Sequence, residues 1–182
     1  MRLRGGTAEQ AAELVRYTNI EKGYGVRYWS IGNEPSLYPD YDTERYNEEW
    51  RLFAEAMLAV DESILLVGPD THQFTGTERD PKDENGRDWL RAFLASNGDM
   101  VDVVAVHRYP FPASMGLVPK IEDLRANSAE WEQVIPALRA AVLEETGKEL
   151  PIAITEVNST GHRSVAAKPR PIPILVHCGG GM

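Results

Sequence analysis

Two glutamates stand where acid–base and nucleophilic chemistry is readily built. They are Glu34, in Tyr28-Trp29-Ser30-Ile31-Gly32-Asn33-Glu34-Pro35, and Glu156, in Ile152-Ala153-Ile154-Thr155-Glu156. Each closes a short apolar run with the length of a buried strand, and a loop is expected after each. In a parallel α/β barrel the C-terminal strand ends face one shared pocket, so two such acids can meet despite their separation along the chain. Cleaving a glycosidic bond needs a pair of this kind. One carboxyl group protonates the leaving oxygen, and the other attacks the anomeric carbon or activates water.

The elements that would position them follow from the hydrophobic pattern. Thr7-Ala8-Glu9-Gln10 has capping-box spacing, and Ala11, Leu14, Val15 and Thr18 then share a helical face that Gly23 and Gly25 end. Val26 to Ile31 forms a strand leading to Glu34. A helix from about Thr43 to Asp61 carries Tyr46, Trp50, Phe53, Met57 and Val60 along one stripe. The strand Ile64 to Val67 ends in Gly68-Pro69-Asp70, and a long polar loop, Thr71 to Gly86, separates it from a short helix with Trp89, Leu90, Phe93 and Leu94. Asn97-Gly98 stops that helix. The strand Val101 to Val106 carries His107 and Tyr109 at its end. After Pro110, Pro112 and Pro119 comes a helical stretch with Trp131, Val134, Ile135, Leu138 and Val142 on one face, which Pro136 starts or kinks. Pro151 to Thr155 is the last strand.

Helices and strands therefore alternate, and the strands are apolar throughout rather than every second residue. Strands covered on both faces have this character, which predicts a parallel sheet with crossover helices. Four strands cannot close an eight-stranded barrel, so the expected fold class is α/β, a partial (β/α)8 TIM barrel.

Composition narrows the function classes. The 182 residues are 42% hydrophobic and 26% charged, with a formal charge of −9, as for a soluble globular domain. No basic face is available for phosphates, which excludes nucleic acid as a partner. No apolar run approaches the roughly 18 residues of a membrane span. A single cysteine, Cys178, excludes an internal disulfide and a multi-cysteine zinc site. The opening Met1-Arg2-Leu3-Arg4-Gly5-Gly6 lacks the apolar stretch of a secretory signal.

At Gly32-Asn33-Glu34-Pro35, followed by Ile154-Thr155-Glu156, the chain resembles the clan A glycoside hydrolases, retaining enzymes built on (β/α)8 barrels. The phrase from Val26 to Pro35 is most similar to the branch holding β-xylosidases, α-L-iduronidases and α-L-arabinofuranosidases. The resemblance implies that Glu34 is the general acid/base and Glu156 the nucleophile. It implies that Asn33 hydrogen-bonds the sugar 2-hydroxyl, and that His107 and Tyr109 support the nucleophile and line the sugar subsite. It implies a carbohydrate partner and no metal or organic cofactor. Glu34 must hold a proton near neutral pH, which an apolar wall or the charge of Glu156 would favour, and Glu156 must be ionised and oriented, for which the Tyr109 hydroxyl is suited. The resemblance covers about Thr7 to His162 and corresponds to strands 4 to 7, so residues 1–162 are expected to be a partial catalytic barrel, inactive in this truncated form.

Plainer roles compete with several of these. Asn33 is also good turn chemistry before Pro35, His107 and Tyr109 also suit a satisfied histidine and a buried tyrosine at a strand end, and His72 suits a solvated loop as well as the pocket. Asp70 and His72 lack a third ligand for a metal. Trp29 lies an odd number of positions from Glu34, so strand alternation turns it toward the helices as core, and Trp50, Trp89 and Trp131 sit on core stripes. Residues 163–182 lack any acidic residue and hold three prolines within five positions. They are expected to be a frameshift, cloning or assembly product, or a disordered tail. Two other classes of function remain beside the enzyme: a non-catalytic carbohydrate-binding or scaffold barrel, and a fragment without stable function.

Overall fold

Thr7 opens the first helix, α1 (Ala8–Val15). Its hydroxyl accepts the N–H of Gln10, whose side chain accepts the N–H of Thr7, a reciprocal cap that satisfies two free donors. The structure, a computed structural model, describes residues 1, 3–111 and 119–157. Pro112 and the whole of the 163–182 tail, with Cys178, lie outside the described residues.

α1 continues as a wider π turn over Arg16–Glu21 that takes in Thr18, and Gly23 and Gly25 then turn the chain in the left-handed region. The strands and helices that follow are β1 (Tyr28–Ser30), α2 (Thr43–Leu58), β2 (Leu65–Thr71), α3 (Trp89–Asn97) and β3 (Val103–Arg108). The last three are α4 (Ile121–Asn127), α5 (Trp131–Thr146) and β4 (Ile152–Val157). Asp42 and Asp88 cap α2 and α3 by accepting the N–H groups of Arg45 and Arg91. All three strand pairings are parallel, in the order β1-β2-β3-β4. This is the expected partial (β/α)8 barrel.

The differences from the sequence pattern are local. β1 is shorter than Val26 to Ile31. β2 does not stop at Val67 but runs through Gly68, Pro69 and Asp70 to Thr71. The last helical stretch is two helices joined by a 3-10 turn, and α5 continues through Pro136 rather than starting there. In the strands, pairing register decides the outcome, and local composition does not carry it. Among the described residues no helix is long and apolar enough to cross a membrane.

The core lies between the sheet and its helices. Tyr46, Trp50 and Met57 of α2 are fully buried, with Phe93 and Leu94 of α3, Val104 and Val106 of β3 and Leu138 of α5 beside them. Trp29 and Trp89 join this core as the alternation and helical stripes require. Trp50 and Phe93 meet edge to face at 5.0 Å between ring centroids. They close over Gly68, where an added Cβ would lie 3.1 Å from the Trp50 indole nitrogen and 3.2 Å from Phe93 Cζ. The missing side chain lets the aromatic layer press onto the β2 backbone, which fixes the end of that strand.

Candidate active site

Two irregularities in the sheet bring the chemistry together. Between β2 and β3 the register passes from Pro69↔Ala105 to Thr71↔Val106, so Asp70 is an extra residue. Between β3 and β4 it passes from Val106↔Ile154 to His107↔Glu156, so Thr155 is extra. Bulges of this kind re-aim side chains at sheet rims. Here they set His107 directly beside Glu156 and turn Asp70 and Thr155 toward each other, with the Thr155 hydroxyl donating to the Asp70 carboxylate.

Glu34 reaches the same place from the loop after β1. Its backbone is left-handed (φ 47°, ψ 56°), a conformation that costs a non-glycine residue free energy and is retained where surrounding structure holds it. The holding contacts are visible: the Glu34 N–H donates to the Asp70 carbonyl at 3.0 Å, Pro35 is buried, and a 3-10 turn over Pro35–Leu37 follows at once. Tyr46, fully buried, donates toward the carbonyls of Ile31 and Pro69 at 3.3 and 3.2 Å. It ties the ends of β1 and β2 to α2.

The predicted residues converge on His107. Its ring is 2% exposed, and Nδ1 lies 3.0 Å from Glu34 Oε1 and 3.1 Å from Glu156 Oε2. Its other nitrogen, Nε2, lies 3.5 Å from Asp70 Oδ1. The Tyr109 hydroxyl donates to Glu156 Oε1, while Oε2 lies beside the His107 ring. Asn33 is not part of this cluster. Its side chain is exposed, its N–H donates to the Tyr38 hydroxyl at 3.0 Å, and it flanks an open cavity of about 630 Å³ shared with Arg4, Gly5 and Tyr38.

Charge follows from these neighbours. Burial alone would depress the His107 imidazole. Hydrogen bonds to Asp70 and Glu34, with the charges of Asp70 and Glu156, outweigh it and push the pKa up to about 9. Burial raises the Asp70 carboxyl, but hydrogen bonds from His107, Ser30 and Thr155 carry it below its ordinary value. The bond to Glu156, then burial, and the charges of Glu156 and Glu34 push the Tyr109 phenol up to about 12, so it is a donor at neutral pH. At the edge of the cluster, His72 Nδ1 meets the Ser36 hydroxyl at 2.5 Å, and burial lowers its pKa against the charge of Glu34. His72 is thus half-buried beside the cluster rather than solvated in a loop.

Donor atoms of Glu34, His107 and Glu156 lie within 4.8 Å of one another, a spacing a cation could share. His107 Nδ1 lies within 3.1 Å of an oxygen of each carboxylate, so the trio is one connected cluster. Chemically, it is two carboxylates within reach of one bond, with a cation between them and a phenol donor at one side.

Sequence reasoning missed Asp70 as more than a poor metal ligand, and missed Ser30, Thr155, Gln73 and Arg108. Ser30 donates to Asp70. Gln73 Oε1 accepts the Tyr109 N–H at 3.0 Å and Arg108 Nη1 at 3.2 Å, while Arg108, buried, also reaches Glu130. This second network holds the backbone at Tyr109. The one available signal was Asp70 itself, an acid directly after an apolar strand.

No family model matches this sequence, and no curated protein matches it. Solved structures do share its fold. A bifunctional glucanase-xylanase, CelM2, from a metagenome library superposes with a TM-score of 0.62 at 22% identity, over 85% of this chain and 39% of that one. A family 39 β-xylosidase from Caulobacter crescentus gives 0.56 at 22% identity, over 84% and 29%. The family 51 α-L-arabinofuranosidase AbfB from Bifidobacterium longum gives 0.58 at 17% identity, over 84% and 34%. The chain thus spans well under half the length of these neighbours. Its four-stranded half-barrel has the fold of clan A glycoside hydrolases.

Proposed function

We propose that this chain carries the catalytic half of a retaining glycoside hydrolase acting on plant-type polysaccharide glycosides such as xylosides, arabinosides or glucans. The observation that carries the reading is the approach of Glu34 and Glu156, whose carboxylate oxygens lie within 4.8 Å of each other. Retaining enzymes hold their two carboxyl groups about 5–5.5 Å apart, whereas inverting enzymes leave room for a water at about 6.5–9.5 Å.

In the first step a Glu156 oxygen attacks the anomeric carbon while Glu34 passes its proton to the glycosidic oxygen. The C–O bond breaks, the alcohol leaves, and the sugar is held as an ester on Glu156. In the second step the Glu34 carboxylate takes a proton from water. The water oxygen attacks the anomeric carbon from the face the alcohol left, and Glu156 is released as carboxylate. Tyr109 and His107, one on each oxygen of Glu156, hold that carboxylate in plane during both steps. Asn33, on the rim before Glu34, is assigned to the sugar hydroxyls.

The test, made on a barrel completed to the length of its structural neighbours, is the anomeric configuration of the first product released from an aryl β-D-xyloside or aryl α-L-arabinofuranoside, followed by proton NMR before mutarotation. Retention is expected, and inversion would reject the double displacement. A second reading, carbohydrate binding without hydrolysis, is favoured by the chain's span of only 29–40% of its structural neighbours. It predicts calorimetric binding of xylo- and arabino-oligosaccharides with no product.

A further inference from the structure

We propose that Asp70 is a positioning residue for this reaction, a buried carboxylate that holds the His107 ring doubly protonated and aimed at Glu34 and Glu156 together. The proposal rests on the glycosidase reading of those two glutamates. It starts from an accounting of hydrogens around one ring. A neutral imidazole carries a single N–H. With that hydrogen on Nδ1, it serves Glu34 at 3.0 Å and Glu156 at 3.1 Å. The bare Nε2 lone pair would then face Asp70 Oδ1 at 3.5 Å, two acceptors against each other. With the hydrogen on Nε2, the bare Nδ1 would face the Glu156 nucleophile at 3.1 Å even when Glu34 carries its proton. Only the imidazolium satisfies both sides.

Asp70 is built to impose that state. It is 3% exposed. Each of its oxygens is approached from another strand: Ser30 of β1 donates to Oδ2 and Thr155 of β4 donates to Oδ1. With His107 of β3, the contacts draw one side chain from every strand onto a single carboxylate. A buried carboxylate needs such donors to be ionised at low cost. Because Asp70 and Thr155 are both bulge residues, the two breaks in the ladder serve the same contact.

The charged and titratable groups around the ring are Glu34 after β1, Asp70 in β2, Glu156 in β4 and His72 after β2, the last through its charge. Tyr109 acts through Glu156. The Tyr46 phenol and the Met1 amino group both feel Asp70. Three carboxylates face one imidazole, and Asp70 is the one that is fully enclosed. The other two are left free to act on substrate, Glu34 by proton transfer and Glu156 by attack, while the ring between them keeps their orientation.

The test is an NMR titration of the His107 ring in the whole chain, without substrate, so its outcome is independent of hydrolysis. In the wild type both ring nitrogens should carry hydrogen at pH 7.5, with a midpoint near 9. Asp70→Asn keeps the shape and removes the charge. It should lower the midpoint by about 1–3 units, the usual effect of one adjacent charge, and leave one nitrogen bare at pH 7.5. Thr155→Val removes a hydrogen bond to Asp70 but keeps its charge, and should leave the ring doubly protonated at that pH. A wild-type midpoint at the ordinary histidine value would overturn the proposal even if neither variant folds. So would an Asp70→Asn midpoint equal to the wild type, or equal losses in both variants. Absence of hydrolysis by a barrel completed to the length of the structural neighbours would reject the parent reading and leave the ring titration to decide this one.

Discussion

In a barrel completed to the length of the structural neighbours, Glu156→Gln is expected to remove hydrolysis of every aryl glycoside the enzyme turns over, whatever the leaving group. The amide cannot form the glycosyl ester, so both steps lose their path. The loss should exceed the roughly 10²–10⁴-fold contributed by general acid–base catalysis alone, a range that corresponds to about 3–5.5 kcal/mol of barrier. Glu34→Gln should behave differently. With a dinitrophenyl leaving group, which departs without protonation, formation of the ester should be only mildly slowed and the ester should accumulate. With an alkyl or sugar leaving group the full loss of about 10²–10⁴-fold is expected. Steady-state kcat and KM on two substrates that differ only in leaving group, with both variants, measure this. Equal losses of kcat/KM on both substrates for Glu34→Gln would remove its assignment as acid. Glu156 is half-exposed, with 44% of its side chain open, so its replacement should leave the urea midpoint of the chain near the wild-type value. Activity and stability are thereby separated.

Trp50→Ala is expected to have the largest effect on the fold. The side chain is fully buried between Phe93 and the Gly68 backbone, and both partners are held by the sheet and by α3, so the space cannot collapse. Removing a buried aromatic of this size costs about 3–5 kcal/mol, against a total of about 5–15 kcal/mol for a typical domain. Trp50→Phe should cost much less. The indole N–H has no hydrogen-bond partner among the described residues, so phenylalanine forfeits volume but no bond seen there. Urea unfolding followed by circular dichroism would show the order. A Trp50→Phe midpoint as low as that of Trp50→Ala would mean that the polar atom matters more than the packing.

The barrel wall was legible before the structure because its strands are apolar runs and its helices carry stripes, and both patterns are local. Trp29, Trp50 and Trp89 fell on the core side for that reason. The pairing of Glu34 with Glu156 was legible through position, since an acid just past a strand points to the common end of a parallel sheet. The centre of the cluster was not. Asp70 and Thr155 meet because the ladder slips once on each side of β3, and a slip depends on the neighbouring strand rather than on the residues that slip. The left-handed backbone at Glu34 was equally hidden. It is set by the Asp70 carbonyl and the buried Pro35, contacts that exist only after β1 and β2 are paired. His107 was expected beside the nucleophile. That it also bridges to Glu34 and Asp70 could not be read from a spacing.

The most direct test of the pairing of Glu34 and Glu156 is covalent trapping, in the completed barrel, with a dinitrophenyl 2-deoxy-2-fluoro glycoside. The fluorine slows both steps by opposing positive charge at the anomeric carbon, and the good leaving group restores only the first, so the sugar ester persists. Peptide mapping by mass spectrometry is predicted to find one fluoro-sugar on the peptide carrying Glu156, lost in Glu156→Gln and still formed in Glu34→Gln. An unmodified chain, or the sugar on any other carboxylate, would contradict the account.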